Sequence, residues 1–144
     1  MLDLRQRALN LLARREHSRA ELAAKLAIHG SADDIEPVLN DLQRSGLLSD
    51  ARAAGAFLRS QSARFGIARL RQRLRARGIA AELIDRELQA ADLVPELERA
   101  RAVWARKFAG PPVDRREWAR QARFLQSRGF TADIIRNLLH EPRP

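Results

Sequence analysis

The 144-residue chain has no cysteine, which excludes disulfide scaffolds and thiol catalysis, and its hydrophobic share of 45% is enough for a folded core. Aromatics make up only 5%, Tyr is absent, and Ala and Leu dominate, so the composition favours helix over sheet. No apolar run approaches about 18 residues and no signal sequence opens the chain; with a net charge of +9, this points to a soluble cytoplasmic protein with anionic partners and no membrane span.

A short pattern recurs three times, as Leu26-x-x-x-Gly30, Leu74-x-x-x-Gly78 and Leu125-x-x-x-Gly129, with glycines 48 and then 51 residues apart. A period of that size predicts an all-α protein of three tandem three-helix repeats, at residues 1–48, 49–92 and 93–144, forming an elongated, modular array. In the first repeat, Leu9 and Leu12 share one face of a helix over about residues 4–15. Ser18 with Glu21 forms a capping box for a second helix carrying Leu22 and Leu26, which Gly30 ends in a left-handed conformation. A third helix carries Ile35, Val38, Leu39 and Leu42 and stops near Gly46. Its link to Gly30 is one residue shorter than in the later repeats and Pro37 follows, so a late start capped by Asp33 or Asp34 is expected.

The second repeat opens at Ser49 or Asp50 and carries Phe57 and Leu58, then Leu70 and Leu74, then Leu83, Ile84 and Leu88. The third opens with Pro95 as a first helical residue and carries Leu97, Val103, Trp104 and Phe108 before Pro111-Pro112 break the chain. Asp114 with Glu117 resembles a capping box for the helix of Trp118, Ala122 and Leu125. Thr131 caps the last helix, and Pro142 and Pro144 leave a loose tail. The expected core is Leu22, Leu26, Leu39, Leu42, Leu70, Leu74, Ile84, Leu88, Leu125, Ile135 and Leu138.

Charge is distributed unevenly: net −1 over residues 1–50, +5 over 51–92 and +5 over 93–144. Of the 27 basic residues 25 are Arg, which codon bias can produce, but bias does not explain the asymmetry. No acidic residue occurs from Ala51 to Ala81, a window holding Arg52, Arg59, Arg64, Arg69, Arg71, Arg73, Arg75 and Arg77. The last five alternate like a strand, yet Leu70 and Leu74 match Leu22 and Leu26 and so argue for helix. On that helix Arg69 and Arg73 flank the leucines on one side, Arg71 and Arg75 on the other, and Arg77 is nearest the apolar face. A bound polyanion would relieve their mutual repulsion; the plainer alternative is a solvated face whose Arg stems cover the core edge. The third repeat repeats the theme with Arg115, Arg116, Arg120, Arg123 and Arg128. Trp104 and Trp118 could stack on bases but are expected in the core. His17, His29 and His140 lack metal-ligand spacing, and there is no Gly-rich phosphate loop or nucleophile elbow, so no enzyme, metal or cofactor is expected.

Three segments, in order and spacing, carry a resemblance. They are Arg7-Ala8-Leu9 through Leu12-Ala13-Arg14-Arg15-Glu16-His17-Ser18-Arg19-Ala20-Glu21-Leu22 with Lys25-Leu26, then Ser45-Gly46-Leu47-Leu48-Ser49-Asp50 with Arg52 and Phe57-Leu58-Arg59-Ser60, then Gly66-Ile67-Ala68-Arg69-Leu70-Arg71-Gln72-Arg73-Leu74-Arg75-Ala76-Arg77-Gly78-Ile79. Together they resemble the RecX family, regulators of the RecA recombinase. The resemblance implies three tandem three-helix repeats. It further implies binding to RecA and to the groove of the RecA–DNA filament, blocked filament extension, and reduced recombinase and coprotease activity. A monomer with weak affinity for single- and double-stranded DNA is expected. Joined to the charge pattern, it makes Arg59, Arg64, Arg69, Arg71, Arg73, Arg75, Arg77, Arg115, Arg116, Arg120 and Arg123 the candidate RecA- or DNA-binding set. The competing classes are a sequence-nonspecific nucleic-acid-binding helical module and a protein scaffold whose Arg are incidental.

Overall fold

Helix caps and leucine spacing divide the chain into nine helices among residues 2–140, which the computed structural model describes, and no strand occurs among them. They are α1 (Leu4–Arg14), α2 (Arg19–Leu26), α3 (Ala32–Arg44), α4 (Asp50–Gln61), α5 (Ile67–Ala76), α6 (Ala81–Ala90), α7 (Glu96–Lys107), α8 (Arg115–Ser127) and α9 (Ala132–Leu138). The expected tail at Pro142 and Pro144 lies outside the described residues. The alternating Arg segment is helical, because α5 must turn both Leu70 and Leu74 inward, and both are fully buried.

Local chemistry sets most helix starts. Ser18 and Glu21 form the full capping box, and Thr131 accepts from the Ile134 N–H. Asp114 accepts from the Glu117 N–H at 2.8 Å, but the Glu117 carboxylate turns forward to Arg120 and Gln121. Each such cap stabilises its helix by about 1 kcal/mol. Pro95 stands one place outside the expected position, as the residue before α7.

Two expectations in the first repeat are corrected. The cap of α3 is Ser31, whose side chain accepts from the Asp34 N–H, instead of Asp33 or Asp34. The helix tolerates Pro37 in its second turn because the bond lost belongs to the carbonyl of Asp33, an exposed residue that water can reach. Gly30 does not adopt a left-handed conformation, whereas Gly46, Gly78 and Gly129 do. Helix α2 ends at Leu26 with an extra turn, His29 N–H to Leu26 carbonyl, and Gly30 faces Leu4 instead.

The chain forms two compact units: residues up to Phe57 together with Leu74–Ala90, and Leu58–Arg73 together with residues from Ala91 onward. In the first unit Ala8, Leu22, Leu26, Ile35, Leu39, Leu42 and Leu48 form a core, with Leu4, Leu9, Leu11, Leu12 and Val38 packed against it. In the second, Ala100, Val103, Leu125, Phe130, Ile135 and Leu139 do so, with Trp104, Trp118, Ala122 and Phe124 around them. Both tryptophans thus pack against the core, half-buried, instead of standing free on the surface. Leu88 and Leu138 are only half-buried, against expectation. Leu139, the extended residue that caps α9 through its N–H to the Ile135 carbonyl, takes the inward place, and Leu88 sits in the last turn of α6.

One joint between successive repeats occurs in each unit. In the first, the Ser18 hydroxyl donates to the Arg77 carbonyl, and the Arg19 N–H donates to Asp50 Oδ1 at 2.7 Å. In the second, the Gly66 N–H donates to the Arg128 carbonyl at 2.8 Å, and the Ile67 N–H donates to Glu96 Oε1 at 3.1 Å. The correspondence holds position by position. Each accepting carbonyl precedes a left-handed glycine, Gly78 or Gly129, and each carboxylate stands on the first residue of the next repeat's first helix. A helix start leaves its first N–H groups without intrahelical partners, and here the following repeat supplies them. Close approach needs the missing side chains: a Cβ on Gly78 would lie 2.3 Å from Ala20 Cβ, and one on Gly129 would lie 2.2 Å from Arg69 Cβ.

An arginine ties each joint. Arg52 donates to Glu16 at 3.0 Å and to the Gly46 carbonyl at 2.6 Å. Arg99 donates to the carbonyls of Val94, Ser62 and Phe65 at 2.9, 2.9 and 2.6 Å. Arg99 is 5% exposed, and burial pushes its pKa down from the ordinary range.

Beside Ser18, His17 is buried, with Nε2 3.1 Å from Lys25 Nζ and Nδ1 3.0 Å from the Arg15 carbonyl. An ammonium can only donate, so Nε2 accepts and Nδ1 carries the proton toward Arg15. Burial pushes the His17 pKa below its ordinary value, and the charges of Arg15 and Lys25 act in the same direction. The native state then binds this proton less readily than the unfolded chain. Stability from His17 is full above about pH 6.5, the unfolded value, and is lost as pH falls below it toward the folded value. Urea unfolding at pH 7.5 and 5.5 is expected to show a lower midpoint at the acid pH, and His17→Gln is expected to flatten that difference. A midpoint that rises on acidification contradicts the assignment.

Candidate polyanion-binding site

The arginines of the middle repeat do not form one free row. Arg73 stacks on the Phe65 ring at 4.3 Å, and Arg77 stacks on the Phe57 ring at 4.5 Å. Arg77 is half-buried, while Arg59, Arg64, Arg71 and Arg75 are exposed. Arg69 is half-buried: its Cβ faces Gly129, one guanidinium nitrogen donates to Gln72 Oε1 at 3.2 Å, and its buried Nε has no hydrogen-bond partner. These stems therefore cover core edges while carrying charge outward, as the plainer of the two readings that the sequence left open expects. Replacing Arg73 or Arg77 removes a ring contact worth about 0.5–1 kcal/mol as well as a charge.

On α8, Arg115, Arg116 and Arg123 are exposed. Arg120 is already engaged: it forms a forked pair with Glu117 at 3.0 and 2.7 Å and lies 5.0 Å from the Phe108 ring centre. The hydrogen bonds from Arg120 and Gln121 hold the Glu117 carboxyl down at about 2, and the same pair raises the Arg120 pKa. Arg120 thus differs from its neighbours in having its charge answered within the chain. Gln121, 1% exposed, also accepts from Trp104 Nε1 at 2.7 Å and donates to the Gly110 carbonyl, anchoring the segment before Pro111-Pro112.

The second unit also gathers basic residues that the candidate set omits. A cleft of about 360 Å³ is lined by Arg64, Val103, Arg106, Lys107, Phe124 and Arg128. Arg64 comes from the turn after α4, Arg106 and Lys107 from the last turn of α7, and Arg128 from the cap of α8. Lys107 and Arg128 lie 5.6 and 5.3 Å from the Phe124 ring centre, and Phe108 meets that ring edge-on at 5.3 Å. No carboxylate lines the cleft. The sequence signal available was the Arg106-Lys107 pair ending a helix, where a cation also suits the helix dipole. Among the described residues, no group of three potential ligands could hold a metal, and no helix is long and apolar enough to cross a membrane.

Comparison with known proteins is consistent along the chain. Three family descriptions match in order: RecX, first three-helix domain, at residues 5–42; second three-helix domain, at 49–88; and third three-helix domain, at 95–139. A regulatory protein RecX from Leptothrix cholodnii is 52% identical, over 96% of this chain and 88% of its own length. One from Pseudomonas putida is 48% identical, over 94% and 88%. The crystal structure of RecX from Lactobacillus salivarius superposes with a TM-score of 0.75 at 20% identity, covering 94% of this chain and 91% of that one. A second crystal structure of regulatory protein RecX gives 0.76 at 24% identity, covering 94% and 70%, so the fold is shared.

Proposed function

Because the chain belongs to the RecX family of regulatory proteins, we propose that it modulates the RecA recombinase, mainly as an inhibitor. In this reading it binds RecA and the groove of the RecA–DNA filament, blocks filament extension, and so lowers recombinase and coprotease activity during DNA repair and the SOS response. It acts as a cytoplasmic monomer without catalysis of its own, through repeats at 1–48, 49–92 and 93–144. The observation that carries the reading is regulatory relatives matching over almost the whole chain, all three repeats included. The exposed Arg59, Arg64, Arg71, Arg75, Arg115, Arg116 and Arg123 suit an anionic partner. Arg69, Arg73, Arg77 and Arg120 contribute charge from more constrained positions.

The test is RecA's DNA-dependent ATPase and filament extension on single-stranded DNA. Substoichiometric protein is expected to slow extension, since blocking a growing end needs few molecules. An unchanged ATPase at equimolar protein ends this reading and leaves the alternative, a sequence-nonspecific nucleic-acid-binding module.

A further inference from the structure

We propose that the cleft lined by Arg64, Arg106, Lys107 and Arg128 is a binding site for the sugar–phosphate backbone of single-stranded nucleic acid. It deepens the filament-binding reading by naming where a strand is held, and rests on that reading only for its setting. Four cations from three separate chain segments converge on one cleft with no carboxylate among its lining residues. Like charges gathered in one cleft repel, and an anion that neutralises them stabilises the arrangement. Two of the cations are also held in place beforehand. The Phe124 ring face attracts Lys107 and Arg128, and Arg128 lies 5.9 Å from the Phe65 ring centre as well. Val103 and Phe124 give the cleft an apolar wall, which strengthens the field of the charges beside it.

The chemistry favours a nucleic-acid strand over an acidic peptide. Arg clusters also recognise acidic peptide motifs, but the same unit carries further exposed cations at Arg115, Arg116 and Arg123, a charge that a strand with one phosphate per nucleotide answers better than a short acidic motif. Three of the four cations are Arg, whose planar fork matches phosphate oxygens. The site reads no base, so binding is expected to be indifferent to sequence and strongly dependent on salt.

The experiment measures binding of the full chain to a fluorescent oligothymidylate, without RecA, across a salt series. The triple variant Arg64→Gln, Arg106→Gln, Lys107→Gln is compared with a charge-matched control, Arg14→Gln, Arg44→Gln, Arg101→Gln. If the three side chains each neutralise a phosphate, the cleft variant loses about two units of salt slope. The control keeps its slope, and the charge-preserving variant Arg64→Lys, Arg106→Lys retains most of the binding. Equal losses in cleft and control variants overturn the site, because charge would then act globally. Tighter binding of a polyglutamate peptide of matched charge, lost in the cleft variant, assigns the cleft to an acidic protein segment and also overturns the proposal. RecA ATPase inhibition is scored separately: its persistence alongside unaltered oligothymidylate binding by the cleft variant sinks the cleft alone, whereas its absence with wild-type protein sinks the regulatory reading alone.

Discussion

Gly129→Ala is expected to lower the free energy of unfolding by about 2–5 kcal/mol. The first cause is conformational: Gly129 has φ +92°, where a side chain costs about 1–3 kcal/mol. The second is steric: its new Cβ would lie 2.2 Å from Arg69 Cβ and 2.5 Å from Arg69 N, and overpacking of this kind costs about 1–3 kcal/mol. Three other glycines separate the two causes. Gly110 has neither positive φ nor a neighbour within 4 Å, so Gly110→Ala is expected to be neutral within about 0.5 kcal/mol. Gly46 has φ +81° with nothing within 4 Å, so it isolates the conformational cost, about 1–2 kcal/mol. Gly66 lacks positive φ, but its Cβ would lie 2.3 Å from the Gly129 carbonyl oxygen and isolates the clash. Urea unfolding of the four alanine variants checks the order. If Gly129→Ala costs no more than Gly46→Ala, the close approach of repeats at this joint is not energetically significant.

Arg99→Ala is expected to cost about 3–5 kcal/mol, because three carbonyls lose a charged donor at once. The guanidinium satisfies three backbone carbonyls at once, on Val94, Ser62 and Phe65. Each acceptor left without a donor costs about 1–3 kcal/mol, less where water enters. Arg99→Lys preserves the charge but not the fork, and is expected to recover less than half of the loss. The exposed neighbour Arg101 supplies the comparison, with an expected change within about 0.5 kcal/mol on replacement by Ala. A loss below about 1 kcal/mol for Arg99→Ala means that Arg99 does not hold the turn between α4 and α5.

What the sequence made legible was local. Leu26, Leu74 and Leu125 are fully buried because helical spacing alone turns them inward, and Ser18 and Thr131 cap helices through bonds three residues long. Gly30 misled because the spacing it shares with Gly78 and Gly129 says nothing about φ, which depends on the extra turn after Leu26. The joints escaped for a different reason. Two of their four acceptors are the backbone carbonyls of Arg77 and Arg128 and three of their donors are backbone N–H groups, while Ser18, Asp50 and Glu96, the side chains that take part, read in the sequence only as ordinary helix-start residues. The cleft assembles Arg64, Arg106, Lys107 and Arg128 across 64 positions of chain, beyond the reach of any periodicity. Charge counting found the basic repeats but did not show that Arg120 is answered by Glu117 or that Arg73 and Arg77 lie on rings.

The joint has a direction. A middle-helix start donates and a glycine turn accepts, so repeats linked this way leave one unused donor end and one unused acceptor end. Among the described residues those ends are the start of α8 and the turn after α2, and the acceptor end lacks the form of a working half. At α8 the cap Asp114 keeps a backbone N–H of the kind that Gly66 uses, although its ionised carboxylate cannot donate as the Ser18 hydroxyl does. At Gly30 the backbone is not left-handed, and the space a neighbour would need is taken by Leu4. Head-to-tail contacts that do not close propagate into fibres. Here the bond that joins the repeats is blunted at its outward acceptor end, where Leu4 closes on Gly30.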